Sequence, residues 1–269
     1  MLQPSQDIGG KIFMSRIKNA FQKGSAFISF LTAGDPSIDK TIEYIKTMEK
    51  AGTSLIEIGI PFSDPIAEGP VIQEASVRAL KNHVSVDEVF EIVKTVRKES
   101  ELPICLMGYL NPVFHYGYES FFKKCQEVGV DGVIIPDLPF EEKHEVEDVA
   151  VQYNIDVISL IAPTSKKRIQ MIAKEAKGFI YLVSSMGVTG TRTTIDTDIE
   201  SIVKDIRSVT NVPVAVGFGI HSTAQAADIS KKADGVIVGS AIVKMIAEKK
   251  DQAHDDIYNY VHSMVEAIK

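Results

Sequence analysis

Short apolar runs alternate with longer amphipathic ones from end to end of this chain, and that alternation limits its fold more than any other feature. The runs are Ala26–Ala33, Ser54–Pro61, Pro103–Tyr109, Gly132–Asp137, Asp156–Pro163, Gly178–Ser184, Val212–Phe218 and Gly235–Ser240. Each is rich in β-branched residues and apolar at nearly every position, not at every second one. A strand that is apolar on both faces has to be covered on both, as in a parallel sheet flanked by helices. The segments between them carry helical spacing. Ile38, Ile42, Ile45 and Met48 recur along one helix face, and Gly52 follows as a stop signal. Val86, Val89, Phe90, Val93 and Val96 mark another helix, opened by Ser85-x-x-Glu88 as a capping box, and Ser222-x-x-Gln225 opens a third in the same way.

Eight strand-then-helix units in series predict an α/β fold, a (β/α)8 TIM barrel forming one domain over residues 1–269. A doubly wound open sheet is the second choice, because eight evenly sized units favour closure. The length agrees with the roughly 250 residues typical of such barrels. One interval is long, that between the runs starting at 54 and 103. An extra segment, Phe62 to about Val84, therefore follows strand two, and such insertions lie on the catalytic face of a barrel. Residues 9–23 read as an additional N-terminal helix that covers the barrel bottom.

Composition removes several functions. The net charge is −7, and Lys166-Lys167-Arg168 is too short to form a nucleic-acid stripe. Cys105 and Cys125 stand alone, which suits a reducing cytoplasm. The first residues have no basic stretch leading into an apolar one, so no signal peptide is expected. The longest apolar run, near Val212–Ile220, is about half of what a bilayer requires. There is no HExxH, no carboxylate–histidine cluster at metal spacing, no G-x-G-x-x-G after a strand and no G-x-S-x-G. Metal, dinucleotide and acyl-serine chemistry are not indicated. The histidines read as surface residues, with His115 expected to be half-buried.

The most informative residue is Glu57, within Leu55-Ile56-Glu57-Ile58-Gly59-Ile60-Pro61. A carboxylate in a strand buried on both faces is costly unless it is paired, hydrogen-bonded or protonated. Alternation puts Leu55, Glu57 and Gly59 on one face, and Gly59 is expected to leave open space above Glu57. Burial raises a carboxyl pKa into the range that suits a general acid/base; the alternative is a carboxylate locked to a neighbouring lysine or amide. Glu68, in the long segment after strand two, is a second acid/base candidate across the barrel mouth, or else a solvated loop charge. Asp64 and Asp137 can serve the site or simply stabilise turns beside proline. Gly217-Phe218-Gly219, Gly239-Ser240 and Gly187-Val188-Thr189-Gly190 follow the last three strands. Loops in those places, with a helix N-terminus, commonly bind phosphate, although glycines also serve merely to turn a chain.

The segment Leu55–Pro65 followed by Gly69-Pro70-Val71-Ile72-Gln73 resembles the signature of the tryptophan synthase α subunit family. The likeness continues, in order along nearly the whole chain, at Phe30-Leu31-Thr32-Ala33-Gly34-Asp35-Pro36, Pro136-Asp137-Leu138-Pro139, Gly187-Val188-Thr189-Gly190 and Gly217-Phe218-Gly219-Ile220. The resemblance implies a lyase of tryptophan biosynthesis that cleaves indole-3-glycerol phosphate to indole and glyceraldehyde 3-phosphate without a cofactor. It implies that Glu57 is the general acid/base and that Glu68 stands where the family has its second catalytic carboxylate, an aspartate; the charge is kept on an arm one methylene longer. By the same likeness Phe30, Leu106, Tyr109 and Tyr181 wall the indole pocket, and Thr189 closes a loop over it. Gly190, Gly219, Gly239 and Ser240 hold the phosphate. The family pairs with a pyridoxal-phosphate β subunit in an α2β2 assembly, with Pro61, Asp64 and the loops near Asp137 at or near the contact. Other phosphate-handling barrel enzymes, a free-standing indole-glycerol-phosphate lyase, and a non-catalytic activator of the β subunit are the competing readings.

Overall fold

The computed structural model describes residues 15–184 and 198–269. Its sheet contains nine parallel segments: β1 (Ala26–Thr32), β2 (Leu55–Gly59), β3 (Ile104–Met107), β4 (Gly132–Ile134), β5 (Asp156–Val157), β6 (Ser159–Ile161), β7 (Ile180–Val183), β8 (Val214–Gly217) and β9 (Gly235–Val238). The spatial order is β5-β4-β3-β2-β1-β9-β8-β7-β6. The two ends of that order, β5 and β6, are neighbours in the chain, parted only by Ile158. The Ile158 amide still donates to Val133 on β4 at 2.9 Å. One run, 156–161, thus pairs with β4 through its first half and with β7 through its second, and the barrel closes around it.

Strand alternation divides the apolar residues into two bodies. Leu31, Ile56, Ile58, Leu106, Val133, Leu182, Val216 and Val236 point outward and pack beneath the helices. Ile28, Phe30, Leu55, Cys105, Met107, Ile134, Tyr181, Ala215 and Ile237 point inward and fill the barrel. This is the physical content of strands that read as apolar on both faces.

The helices begin and end where local chemistry directs. Ser37 opens Ile38–Ala51 by accepting from the Lys40 amide, and Gly52, at a φ of +108°, stops it. Complete capping boxes are present at Ser85/Glu88 and Ser222/Gln225. The N-terminal helix is one turn, Ile17–Ala20, with residues 9–14 outside the described part of the chain. Ile17 is fully buried in the inward-facing cluster, so this turn does cover the barrel bottom.

The segment after β2 is more than a loop. It contains the helix Pro70–Lys81, whose Ile72, Ala75 and Ala79 are buried against the barrel. Pro70 in its first turn is the local signal for that start, because proline's missing N–H has no partner to lose there.

At the opposite, N-terminal end of the barrel, Asp131 is buried among donors. Its carboxylate accepts from the Ile104 amide at 2.9 Å, Arg97 at 2.7 Å and Arg16 at 3.1 Å. These bonds tie together the starts of β3 and β4 and the N-terminal turn. No described helix is long and apolar enough to cross a membrane.

Candidate active site

A cavity opens at the C-terminal mouth of the barrel. Phe30, Glu57, Met107, Tyr181 and Ile237 enter it from the strands. Glu68 and Ile72 come from the segment after β2, and Phe218, Gly219, Ile220, Gly239 and Ser240 from the loops after β8 and β9. Past Met107 and Phe218 the cavity meets a wider cleft lined by Ser159, Leu160 and Val183, among others.

Glu57 lies in register with Phe30 on β1 and Cys105 on β3. It is almost wholly buried, and neither carboxylate oxygen finds a hydrogen-bond partner among the described residues. Burial alone pushes its pKa from 4.5 to about 8. At neutral pH the group is therefore mainly a neutral acid with a proton to give, facing an open cavity. The alternative of a locked ion pair has no support from the described neighbours.

Phe30 occupies the space expected to be open above Glu57. A Cβ on Gly59 would stand 2.7 Å from its ring, so the glycine makes room for an aromatic wall instead of leaving a void. A Cβ on Gly239 would meet the same ring at 3.1 Å. Gly217 does for Tyr181 what Gly59 does for Phe30, since a Cβ there would lie 2.5 Å from the phenol oxygen. Close approach of aromatic rings, more than turning, explains these three glycines.

Gly239 is the cap residue of the helix Ser240–Lys249 and, as a glycine, has no side chain to satisfy that helix start. The first N–H groups of a helix have no partner within it, so they are free to receive an anion. Phe218 and Gly219 both adopt positive φ, +73° and +91°, and bring the backbone after β8 to the same corner. The Ser184 hydroxyl donates to the Phe218 carbonyl and holds the turn. For phenylalanine that conformation is a strained one, of the kind that concentrates at binding sites.

Glu68 is held from behind. The Tyr109 hydroxyl donates to its carboxylate and accepts the Ile66 and Ala67 amides at 2.9 and 2.7 Å. Desolvation raises the Glu68 pKa, and the Tyr109 bond works against it. Tyr109 does not wall the main cavity, as the resemblance implied: it borders a small space behind it, shared with Phe62 and Glu68, and so acts first on the loop.

Two further expectations need correction. Leu106 does not wall the pocket: it belongs to the outward core, because it pairs with outward-facing Ile58. Met107, paired with Gly59, points inward and takes that place. His115 is exposed, not half-buried. Asp137 accepts the Leu110 amide at 2.9 Å and so caps the start of the helix Leu110–Tyr116, a contact with another segment of the chain and not with its own turn. Asp64 is exposed and takes the Ser63 hydroxyl. Thr189 and Gly190 lie outside the described residues. Met107 and Ile237 also line the cavity from outside every quoted motif, while Ile72, Phe218 and Ile220 lie within quoted motifs without having been given a role. Counting alternate positions from Glu57 across the strand register finds Met107. Among the described residues no group of His, Cys, Asp and Glu is arranged to hold a metal ion.

A closed parallel barrel whose C-terminal mouth holds a buried carboxyl with no partner among the described residues, in one cavity with a helix N-terminus led by glycine, has the layout of the barrel enzymes. The sequence profile of the tryptophan synthase alpha chain matches residues 16–269, and the chain belongs to that family. The tryptophan synthase alpha chain of Lacticaseibacillus casei is 48% identical over 242 residues, covering 90% of this chain and 91% of that one. That of Thermoanaerobacter sp. (strain X514) is 44% identical over 262 residues, covering 95% and 100%. Among solved structures, the alpha chain from Legionella pneumophila superposes with a TM-score of 0.86 at 36% identity, covering 95% of this chain and 97% of that one. The tryptophan synthase complex from Pyrococcus furiosus gives 0.82 at 36% identity, covering 90% and 98%.

Proposed function

We propose that this chain is a carbon–carbon lyase of tryptophan biosynthesis, cleaving indole-3-glycerol phosphate to indole and glyceraldehyde 3-phosphate. The observation that carries the reading is Glu57, a carboxyl with no described partner, pushed up to about 8 inside an apolar cavity.

In this reading the phosphate rests against the amides at Gly219, Gly239 and Ser240, with Gly190 joining them, and the indole ring lies among Phe30, Met107, Tyr181 and Phe218. Thr189 belongs to the loop that closes over the substrate. Glu57 gives its proton to indole C3, which leaves the ring as a cationic indolenine. Glu68 accepts the N–H of that ring and stabilises the charge forming there. Glu57, now a carboxylate, takes the proton of the glycerol hydroxyl on the carbon attached to C3. That oxygen's electrons form the aldehyde carbonyl while the carbon–carbon pair returns to the ring and neutralises the nitrogen. Indole and glyceraldehyde 3-phosphate result, and Glu57 has regained its proton. The reaction calls for no cofactor.

Indole then passes to a pyridoxal-phosphate β subunit that condenses it with serine, within an α2β2 assembly. What supports the partner is family membership: a Pyrococcus furiosus relative is described as an α2β2 complex whose subunits activate one another. Pro61, Asp64 and the loops near Asp137 belong near that contact. We place the protein in the cytoplasm, where its two buried free thiols stay reduced.

The test is indole release from indole-3-glycerol phosphate by the purified chain, alone and with a β subunit. Slow release accelerated by the partner is the expected result. Rapid release by the chain alone would make it a free-standing lyase. No release under either condition would overturn the lyase reading and leave a subunit that only activates its partner.

A further inference from the structure

Every hydrogen-bonding direction of the Tyr109 hydroxyl is engaged. A phenol has one proton and two acceptor lone pairs. The amides of Ile66 and Ala67 donate to the oxygen and occupy both lone pairs. Among the described residues the proton has one remaining neighbour, the Glu68 carboxylate. The order of donors is thereby fixed. An ionised Glu68 accepts this proton in a charge-assisted bond, whereas a neutral carboxylic acid accepts weakly and has no phenol lone pair to donate back to.

We propose that Tyr109 is the positioning residue of Glu68: its hydroxyl couples the carboxylate to the Ile66–Ala67 backbone and aims it, as a negative acceptor, at the substrate cavity. The proposal rests on the lyase reading, in which Glu68 receives the indole N–H. Two further contacts hold the assembly. The Phe62 ring packs on Tyr109 with centroids 5.3 Å apart, and Gln73 Nε2 donates to the Glu68 carbonyl at 2.8 Å. Glu68 borders both the main cavity and the space behind it, whereas Tyr109 borders only the latter, so the phenol reaches the cavity through the carboxylate.

The electrostatic surroundings make the coupling matter. The ionisable groups around Glu68 are Tyr109 at the helix start after β3, Asp137 after β4, and Glu57 and Tyr181 across the cavity. Asp137 disfavours a second negative charge. Among the described residues no Lys or Arg lines either space. Against burial stand the Tyr109 proton and the amides of Ala67 and Glu68 itself. Losing the phenol proton leaves the carboxylate with backbone support alone.

The experiment is the pH dependence of indole release by the full chain with its β subunit, for wild type, Tyr109→Phe, Glu68→Gln and the double variant. We expect Tyr109→Phe to lower kcat by about ten- to a hundredfold, the effect of one hydrogen bond to a charged group. The acid limb of its profile should move to higher pH, because Glu68 then protonates sooner. In the Glu68→Gln background the same change should have little further effect. An equal loss in both backgrounds, or an unmoved acid limb, would overturn the proposal and leave Tyr109 a packing residue. A 3-fluorotyrosine at 109 keeps the ring, the acceptors and the hydroxyl but makes the proton more acidic. It should move the acid limb to lower pH, and it decides the matter if Tyr109→Phe fails to fold. A wild-type chain that releases no indole would sink the lyase reading instead. The ¹³C titration of the Glu68 carboxyl, with and without the fluorine, then still tests the coupling.

Discussion

The ring of Phe30 fills the position that a Cβ on Gly59 would occupy, at 2.7 Å, from the strand next door to Glu57. Wall and acid are thus fixed by one strand pair: Phe30 is in register with Glu57, and the glycine two residues on makes room for the ring. Gly59→Ala should force the ring toward the cavity. Overpacking of this kind costs about 1–3 kcal/mol, readable in denaturant unfolding, and KM for indole-3-glycerol phosphate should rise. Phe30→Leu in the same chain should recover part of the stability. If Gly59→Ala alone leaves both quantities unchanged, Phe30 has another place to go.

Glu57→Gln should abolish indole release and stabilise the fold at alkaline pH. The folded pKa, about 8, is above the ordinary 4.5, so the folded state holds a proton that the unfolded state has lost. Wild-type stability therefore falls as pH rises from about 4.5 to about 8 and is level beyond. Glutamine has no such dependence. The difference between the two should be small near pH 5 and grow to a few kcal/mol by pH 8, at about 1.4 kcal/mol for each pH step of one within that window. Urea unfolding at both pH values measures it. For the wild-type rate, the same carboxyl predicts activity that declines as pH passes about 8, since the proton for C3 is then gone.

Leu106→Ala and Met107→Ala should separate stability from binding. Leu106 is in the core beneath the helices, and its truncation should cost about 2–5 kcal/mol while leaving KM near wild type. Met107 lines the cavity, and its truncation should lower kcat/KM by about tenfold or more with a smaller loss of stability. Melting temperatures beside steady-state kinetics decide between this and the reverse assignment.

Asp131→Ala should unfold the protein easily without touching the chemistry. It strands Arg97 and the Ile104 amide at the barrel bottom, and leaving one partner of a buried pair alone costs about 3–5 kcal/mol. The site is at the opposite mouth, so kcat of the fraction that remains folded should match wild type, measured well below the melting temperature.

The architecture is legible in the sequence because closure of a barrel is written in period and spacing. Strands apolar on both faces, two capping boxes and Gly52 as a stop are local statements, and each is found in its place. Glu57 is legible for the same reason: a lone carboxyl in such a strand is a local anomaly. Leu106 is not, because the inward face of β3 is set by its register against β2, and no residue of β3 alone reveals it. The helix Pro70–Lys81 is hidden when an insertion is judged by its length, although Gly69-Pro70 announces its start.

What the sequence by itself determined was the series of elements and the acid that the fold would have to bury. The fold then decided what surrounds that acid. Apolar burial with no described partner puts its pKa at about 8. The barrel also decided that Tyr109, more than forty residues from the Glu68 loop, would place its hydroxyl against Ile66, Ala67 and Glu68. The physical reason is range. Periodicity, caps and propensities act within a few residues of the chain, whereas desolvation and hydrogen-bond geometry depend on groups that only closure of the sheet brings together.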